Sequence, residues 1–389
     1  MAGMSKRKLK LFVDAEVLVI PHFSGIGHYV SHLLRALDEL IENRDDIEVT
    51  LGVYYKSIAQ IKTYGYRNFR IRRSPFSLRT SNGLKTKARQ LYYDLLFGKK
   101  IYLFPNYTTW PLWRSKMISI VYDLSFELYP QFVAPLNQKF LSSQVKKTAE
   151  KSDMILTISK NSQDEISDFY NISKSRITIV YPAVDQSVFF GRPTNQIKST
   201  KARFGIHGDY ILFVGNIEPR KNLKNLLLAY EQLDAKIRKK YSLLLVGARG
   251  WLDDEIFELI EKLRVKGNHI QQPQGYIEDE YMPAIYSGAS AFVYPSLYEG
   301  FGIPPIEAMA CGTPAITSNN SSLSEAVGDA AVMISSKSVN ELSSAITKVL
   351  TDEKLREKMI KKGFDQVDSF SWKTSANQLI DVLGELSKQ

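Results

Sequence analysis

Two carboxylates, Glu299 and Glu307, stand eight positions apart in EGFGIPPIE, around a Gly300-Phe301-Gly302 turn and the Pro304-Pro305 pair. A strand-like apolar run at 291–294 precedes them, and a helix-like run at 306–310 follows. The spacing predicts a strand, a turn, and a helix that opens near the prolines, where a missing N–H costs nothing. The N–H groups of Gly302, Ile303 and the helix start would then point at whatever lies above the strand, an arrangement suited to a diphosphate. Glu299 before the turn and Glu307 inside the helix are placed to face one ligand. Carboxylates are poor partners for phosphate, so both are expected to accept hydrogen bonds from hydroxyls. A diphosphate with hydroxyls at both ends describes a nucleotide sugar.

Other residues could share that work. Arg220 and Lys221 in GNIEPRKN lie between a strand-like and a helix-like run. Two cations there can neutralise a leaving diphosphate, with arginine suited to bidentate contact; a solvated helix-start pair is the plain alternative. Gly25-Ile26-Gly27 leads into a helix but lacks the third glycine of a dinucleotide fingerprint, and so also reads as a bare turn. His22, His28 and His32 cluster without metal-site spacing, and no Asp-x-Asp pair stands at a convincing strand end. Metal dependence is therefore not implied.

These residues need elements to hold them. In the C-terminal half, short apolar runs at 210–214, 243–246, 291–294, 315–317 and 331–334 alternate with helical spacing at 222–233, 253–266, 305–310 and 339–350; another helix opens near Glu278. Such alternation implies a parallel sheet covered on both faces. Ligands bind beyond the strand C-termini of these sheets, where Gly215, Gly247 and Glu299 fall. The N-terminal half is looser, with strands at 9–13, 49–54, 101–104, 117–121, 154–158 and 177–180 and a helix at 27–40. The polar stretch after Asp185, to about Lys201, reads as a linker between domains at 1–185 and 200–371.

EGFGIPPIEAMACGTPAITS resembles the Glu-x(7)-Glu signature of family 4 glycosyltransferases, retaining α/β enzymes of the GT-B fold with two Rossmann-like, doubly wound parallel-sheet domains facing a cleft. SGIGHYV, YDLSFELYP, TISKNSQDEI, VGNIEPRKNL and PSLYEGFG match in the right order, and the resemblance covers nearly the whole chain. It implies an acceptor-binding first domain and a donor-binding second domain. A closing helix, about 372–389, would cross back to the first domain. It also implies that Gly25 and Gly27 bring backbone close to the transferred sugar, across the cleft from the diphosphate. Arg220 and Lys221 would hold the diphosphate, near Gly215 and the 300–303 turn. Glu299 would take the sugar hydroxyls and Glu307 the ribose hydroxyls, with Tyr276 near the base.

One departure stands in the first domain. The family often has His-Asp where this chain has Tyr122-Asp123. Tyrosine, with an ordinary pKa of about 10, cannot shuttle protons near neutrality, but it can donate a hydrogen bond to the sugar. Asp123 becomes the candidate for acceptor contact. Retention then needs no strong enzymic base, because a leaving phosphate oxygen on the same face can take the acceptor's proton, and domain closure would exclude water. The EPRKN and PSLYEGFGIPPIEAMA wording is most similar to mannosyltransferases of bacterial surface-polysaccharide assembly. That implies GDP-mannose as donor substrate, no separate cofactor, and a lipid-linked or oligosaccharide acceptor. A UDP-hexose or dTDP-rhamnose transferase, a phosphorylase or sucrose-type synthase, and a non-catalytic nucleotide-sugar-binding protein are the alternatives.

Bulk properties set the context. The 389 residues, 44% hydrophobic and 24% charged, suffice for two domains with full cores. The lone cysteine, Cys311, excludes an internal disulfide and fits a reducing compartment. No signal peptide or twenty-residue apolar span is evident, so a cytoplasmic protein is expected, peripheral to a membrane at most. The net charge of +10 is uneven: residues 1–185 hold 27 Lys and Arg against 17 Asp and Glu. Between Lys56 and Lys100, 12 basic residues accompany one acid, Asp94, and Tyr64, Tyr66, Phe69, Phe76, Tyr92, Tyr93 and Phe97 are interleaved. Rings and cations together suit anionic lipid headgroups. The same mixture serves nucleic acid, and a solvated basic loop is the bland alternative. The intact 299–307 pattern argues against nucleic acid as the main partner.

Overall fold

Parallel pairing, expected from the alternating pattern, runs through both sheets of the computed structural model, which describes residues 8–19, 25–74, 92–107, 109–250 and 253–388. Packing divides the chain into two units, Met1–Pro182 with Ser371–Gln389, and Ala183–Phe370.

Among the described residues of the first unit, seven strands pair: β1 (Leu9–Asp14), β2 (Ile47–Tyr54), β3 (Phe69–Ser74), β4 (Ile101–Phe104), β5 (Lys116–Ile120), β6 (Met154–Thr157) and β7 (Ile177–Ile179). Their order is β3-β2-β1-β4-β5-β6-β7, and the pairings are parallel. The order reverses beside β1, the kind of switch point where doubly wound sheets bind ligands. The β3 strand was not expected. It alternates as FRIRRS, with Phe69 and Ile71 packed against the core and Arg70 and Arg72 exposed. Charge on an edge strand discourages pairing with another chain, and it also disguised the strand within a basic stretch.

The Gly25–Leu40 helix buries Tyr29, Val30, Leu33, Leu34 and Leu37, spaced three and four apart as one helical stripe requires. Its partner is the Trp372–Lys388 helix, whose Leu379, Leu383 and Leu386 join the same core. Trp372 stacks on His32 at 5.3 Å and meets Tyr29 edge-on at 5.5 Å. The closing helix thus belongs to the first unit.

In the second unit, β8 (Asp209–Val214), β9 (Tyr241–Val246), β10 (Ile270–Gln271), β11 (Ala291–Tyr294), β12 (Ala315–Ser318) and β13 (Val332–Ile334) pair in parallel, in the order β10-β9-β8-β11-β12-β13. Here the switch point lies between β8 and β11. The stretch to Lys201, read as linker, is a correction: Thr194–Arg203 is a helix packed on the Met282–Ser287 helix. Its only buried residue is Thr200, so its polarity marks an exposed helix rather than irregular chain.

The basic aromatic stretch is partly described, since 75–91, including Phe76, lie outside the described residues. Tyr93 is buried with Phe12, Tyr102 and Phe104, and Tyr64 donates its hydroxyl to the Leu18 carbonyl at 2.9 Å. Those rings serve the first unit's packing rather than a surface. No helix among the described residues is long and apolar enough to cross a membrane.

Candidate functional site

At the switch point of the second unit, the loops after β8 and β11 meet. The β8 loop continues through Gly215 to a 3-10 turn, Pro219–Lys221, and Asn222 closes the turn in the left-handed region (φ 58°). The Asn222 side-chain amide donates to the Pro295 carbonyl at 3.0 Å and the Ser336 carbonyl at 2.7 Å. Leu297 N–H donates to the Arg220 carbonyl at 2.8 Å. The turn carrying both cations is therefore laced to the loop that carries Glu299.

The β8 and β9 ends approach so closely that a Cβ on Gly247 would lie 1.9 Å from the Gly215 carbonyl oxygen. Gly215 N–H in turn donates to the Val246 carbonyl at 2.9 Å. Any side chain at 247 would force these ends apart and disturb the base of the PRKN turn.

Glu299 is buried and doubly engaged. Its Oε1 accepts from Lys221 Nζ at 2.7 Å and its Oε2 from Arg220 Nη1 at 2.9 Å. Arg220 also donates to the Tyr298 carbonyl at 2.8 Å and to Glu218 Oε1 at 2.7 Å. Lys221 Nζ lies 2.6 Å from the Tyr294 hydroxyl. Burial alone would raise the Glu299 carboxyl, but the charges of Arg220 and Lys221 and its hydrogen bonds outweigh it, leaving the pKa at about 2. Burial lowers the Lys221 pKa, with Glu299 acting against it. The expected basic pair and first carboxylate are thus brought together, as a compact charge cluster that also includes Glu218.

The 299–303 turn is held from the next strand's loop. Glu299 N–H donates to Ser321 Oγ at 3.0 Å, and Ser322 Oγ donates to the carbonyls of Glu299 at 2.7 Å and Phe301 at 3.0 Å. Gly300 and Phe301 are buried, and the Phe301 ring meets Phe370 edge-on at 5.1 Å. Gly302 takes φ 113°, and a Cβ there would sit 2.7 Å from a Leu323 methyl. The Ile303–Ala310 helix follows with prolines in its first turn. Pro304 and Pro305 carry no N–H, which makes Gly302 and Ile303 the donors to consider at this helix start.

Glu307, one turn into the helix and half-buried, accepts from the Tyr286 hydroxyl at 2.7 Å. Burial raises its pKa to about 7; the Tyr286 hydrogen bond acts in the opposite direction and Asp279 adds to the rise. Tyr276 is 78% exposed and open to contact.

In the first unit, Gly25 and Gly27 form the first turn of the Gly25–Leu40 helix, Gly25 exposed and Gly27 buried. His22 lies outside the described residues. Asp123 is half-buried and accepts the Ser125 N–H at 2.9 Å. Tyr122 corrects an expectation: its ring is buried against Tyr29 and Tyr107, and its hydroxyl donates to the Pro105 carbonyl at 2.8 Å. The hydroxyl able to donate to a sugar satisfies a core carbonyl instead. Burial, with Tyr29 and Tyr107 adding, holds its pKa well above the ordinary tyrosine range.

Sequence reasoning missed Glu218, Asn222, Tyr286, Tyr294, Ser321 and Ser322. Glu218 and Asn222 flank the basic pair in EPRKN, and Ser321-Ser322 follow β12 at its ligand-facing end, so position alone could have raised them. Tyr286 and Tyr294 sit in apolar runs that read as core.

Two family models match: "Glycosyl transferases group 1" over residues 197–366 and "Glycosyltransferase Family 4" over residues 23–188. The O-antigen chain mannosyltransferase B of Escherichia coli is 30% identical over 382 residues, 96% of this chain and 99% of that protein. The O-antigen chain mannosyltransferase RfbU of Salmonella typhimurium is 28% identical over 65% of this chain and 66% of its own length. Among solved structures, sucrose-phosphate synthase from Thermosynechococcus elongatus superposes with a TM-score of 0.73 at 20% identity, covering 98% of this chain and 100% of that one. That likeness carries the GT-B fold, and the near full-length similarity carries the family. With its strand-end charge cluster and the matched segments on both units, the chain belongs to the family 4 glycosyltransferases.

Proposed function

We propose that this glycosyltransferase moves mannose from GDP-mannose to a lipid-linked saccharide in surface-polysaccharide assembly, with retention of anomeric configuration. The observation that carries the reading is the Arg220–Lys221–Glu299 cluster at the β8/β11 switch point, followed by Glu307 one turn into the next helix. The near full-length similarity to an O-antigen mannosyltransferase supports the choice of mannose.

A donor diphosphate entering at Gly302 and Ile303 would compete with Glu299 for Arg220 and Lys221. As the cations turn to phosphate, Glu299 is released to accept from sugar hydroxyls. Glu307 accepts from the ribose and Tyr276 lies against the base. The bond between the sugar carbon and the phosphate oxygen breaks as a bond to the acceptor oxygen forms on the same face. The acceptor's proton passes to the leaving phosphate oxygen, whose charge the two cations and the turn amides stabilise. Asp123, in the first unit, contacts the acceptor. The reaction runs without a metal, at a cytoplasmic membrane face contacted through the 56–100 stretch.

Thermal stabilisation by GDP-, UDP-, dTDP- and ADP-sugars, for wild type and Glu307→Ala, tests the donor. A shift with GDP-mannose that the variant loses supports the reading; a shift with another nucleotide replaces the donor. An inverted anomer in the isolated product would overturn retention.

A further inference from the structure

Two buried tyrosines stand behind the two carboxylates of the 299–307 pattern, in one aromatic cluster of the second unit. Tyr294 ends β11 and Phe292 precedes it by two, so both rings leave the same face of the strand. Phe213 of β8 stacks on Tyr294 at 6.0 Å, and Phe292 stacks on it at 5.8 Å. Tyr286, on the Met282–Ser287 helix, meets Phe292 edge-on at 5.6 Å and lies 6.1 Å from Phe189. Close packing of this kind fixes where each hydroxyl points.

The hydroxyls reach the acids from the core side. Tyr286 donates to Glu307 Oε2 at 2.7 Å, and no hydrogen bond among the described residues engages Oε1. The Tyr294 hydroxyl accepts from Lys221 Nζ at 2.6 Å and also hydrogen-bonds Glu299. Burial, with the Glu299 charge adding and Arg220 opposing, holds the Tyr294 pKa well above the ordinary tyrosine range. Burial and the Glu307 charge do the same for Tyr286. Each phenol keeps its proton near neutrality and offers it as a neutral donor.

A neutral donor matters most once the cations leave. In the proposed reaction Arg220 and Lys221 turn to the diphosphate, and Glu299 loses both charged partners at a buried position. A carboxylate with nothing left to accept from would take up a proton, and would then donate to the sugar instead of accepting from it. The Tyr294 hydroxyl, freed of Lys221, can hold one Glu299 oxygen and leave the other to the sugar.

Glu307 meets a milder form of the same problem. The groups facing it are Tyr286, Asp279 in the turn before that helix, and Cys311 at the end of its own helix, with Arg192 near the thiol. Toward the Glu353–Asp368 helix its own helix packs Met309 on Gly363, and toward the Leu323–Val327 helix the contact is Gly302 with Leu323. Burial and Asp279 work against the charged carboxylate, and the Tyr286 hydroxyl works for it.

We infer that Tyr286 and Tyr294 are positioning residues for the transfer: each holds one oxygen of its carboxylate, Glu307 or Glu299, from the core side and keeps the other aimed at the donor. The inference rests on the functional reading above and assigns that site two hydroxyls set behind the groups that meet the donor.

GDP released from GDP-mannose, with water as acceptor, tests it on the full chain, and thermal melts report that each variant is folded. Tyr286→Phe should move the pH at which kcat/KM rises upward by about one unit, the worth of a hydrogen bond to a charged group. Tyr294→Phe should lower kcat about tenfold and leave the GDP-mannose KM within about twofold, because the sugar loses its orientation while the nucleotide contacts stay. A purely structural role would lower the melting temperature and move neither quantity. Each variant decides by itself, so one that does not fold leaves the other. An unmoved midpoint in Tyr286→Phe overturns the inference, as does Tyr294→Phe with kcat unchanged, whether or not its KM rises. Glu299→Gln and Glu307→Gln test the functional reading separately. Losses of kcat/KM in both, beside wild-type behaviour of the tyrosine variants, overturn the positioning alone. No loss in either, or no GDP release by wild type, overturns the functional reading and the inference with it.

Discussion

Lys221 Nζ donates to Glu299 Oε1 at 2.7 Å, with about a tenth of either side chain left in contact with water. The two residues sit on loops after β8 and β11, paired strands on either side of the switch point. An ion pair this buried is costly to form and costlier to halve, because the surviving charge keeps its desolvation penalty and loses its partner. Arg220 shares Glu299, which spreads the charge but does not remove that penalty.

Lys221→Met is therefore expected to destabilise the protein by about 3 kcal/mol. Adding Glu299→Gln should recover much of the loss, since no lone buried charge then remains. Denaturant unfolding of the four proteins of the cycle measures the coupling; additive losses would show that the pair carries none.

Glu299 also shapes acid stability. Its folded pKa of about 2 lies below the ordinary glutamate value of about 4.3. Its contribution is complete above the unfolded value and is lost as pH falls through the interval between them. Glu299→Gln should flatten the stability curve in that window, read by thermal melts across acidic pH.

Glu307 titrates in the opposite sense. With a folded pKa of about 7, it is protonated in mildly acid solution, and a protonated carboxyl is a poorer acceptor for ribose hydroxyls. Donor kcat/KM is expected to rise as pH climbs through about 7, reporting the free enzyme's group. Glu307→Gln should lower kcat/KM and abolish that rise; a rise that survives belongs to another residue. For stability the sign reverses, since ionising a half-buried carboxylate disfavours the fold as pH rises from the unfolded value toward 7.

Tyr122→Phe separates a core role from a sugar contact. Its hydroxyl satisfies the Pro105 carbonyl, so the variant should lose about 1 kcal/mol of stability and keep kcat. A drop in kcat at unchanged stability would return the hydroxyl to the substrate.

Gly247→Ala should be severe, because its Cβ would fall 1.9 Å from backbone. A loss of at least about 3 kcal/mol is expected, together with weaker donor binding as the β8 end moves. Melting temperature and donor titration check both.

The sequence displayed the second unit best. Its central strands are buried on both faces, so their runs end where the loops begin, and 291–294 coincides with β11. The 299–307 pattern and the basic pair were legible because their chemistry is local. Their mutual pairing was not, since only the sheet order puts the β8 loop beside the β11 loop. Several elements stayed hidden, among them the Pro135–Lys151, Lys160–Tyr170 and Glu353–Asp368 helices and the two-residue β10. The β3 strand and the Thr194–Arg203 helix are polar or charged on their outer sides and lie at the margins of their units, where hydrophobic periodicity is weakest. Tyr122 misled because residue type suggested a donor to ligand, whereas burial decides which acceptor is nearest.

The Trp372–Lys388 helix has a consequence for how the protein is made. Its leucines complete a core whose other residues end at Val180, and 188 residues of the second unit, Ala183–Phe370, separate the two parts of the first. On the ribosome, the second unit can close while the first still exposes Leu33, Leu37 and Tyr29. The first unit's core stays incomplete until the 372–388 segment is synthesised, and loop closure over that distance slows its assembly. The unfinished stripe on the Gly25–Leu40 helix is apolar surface left open in that interval.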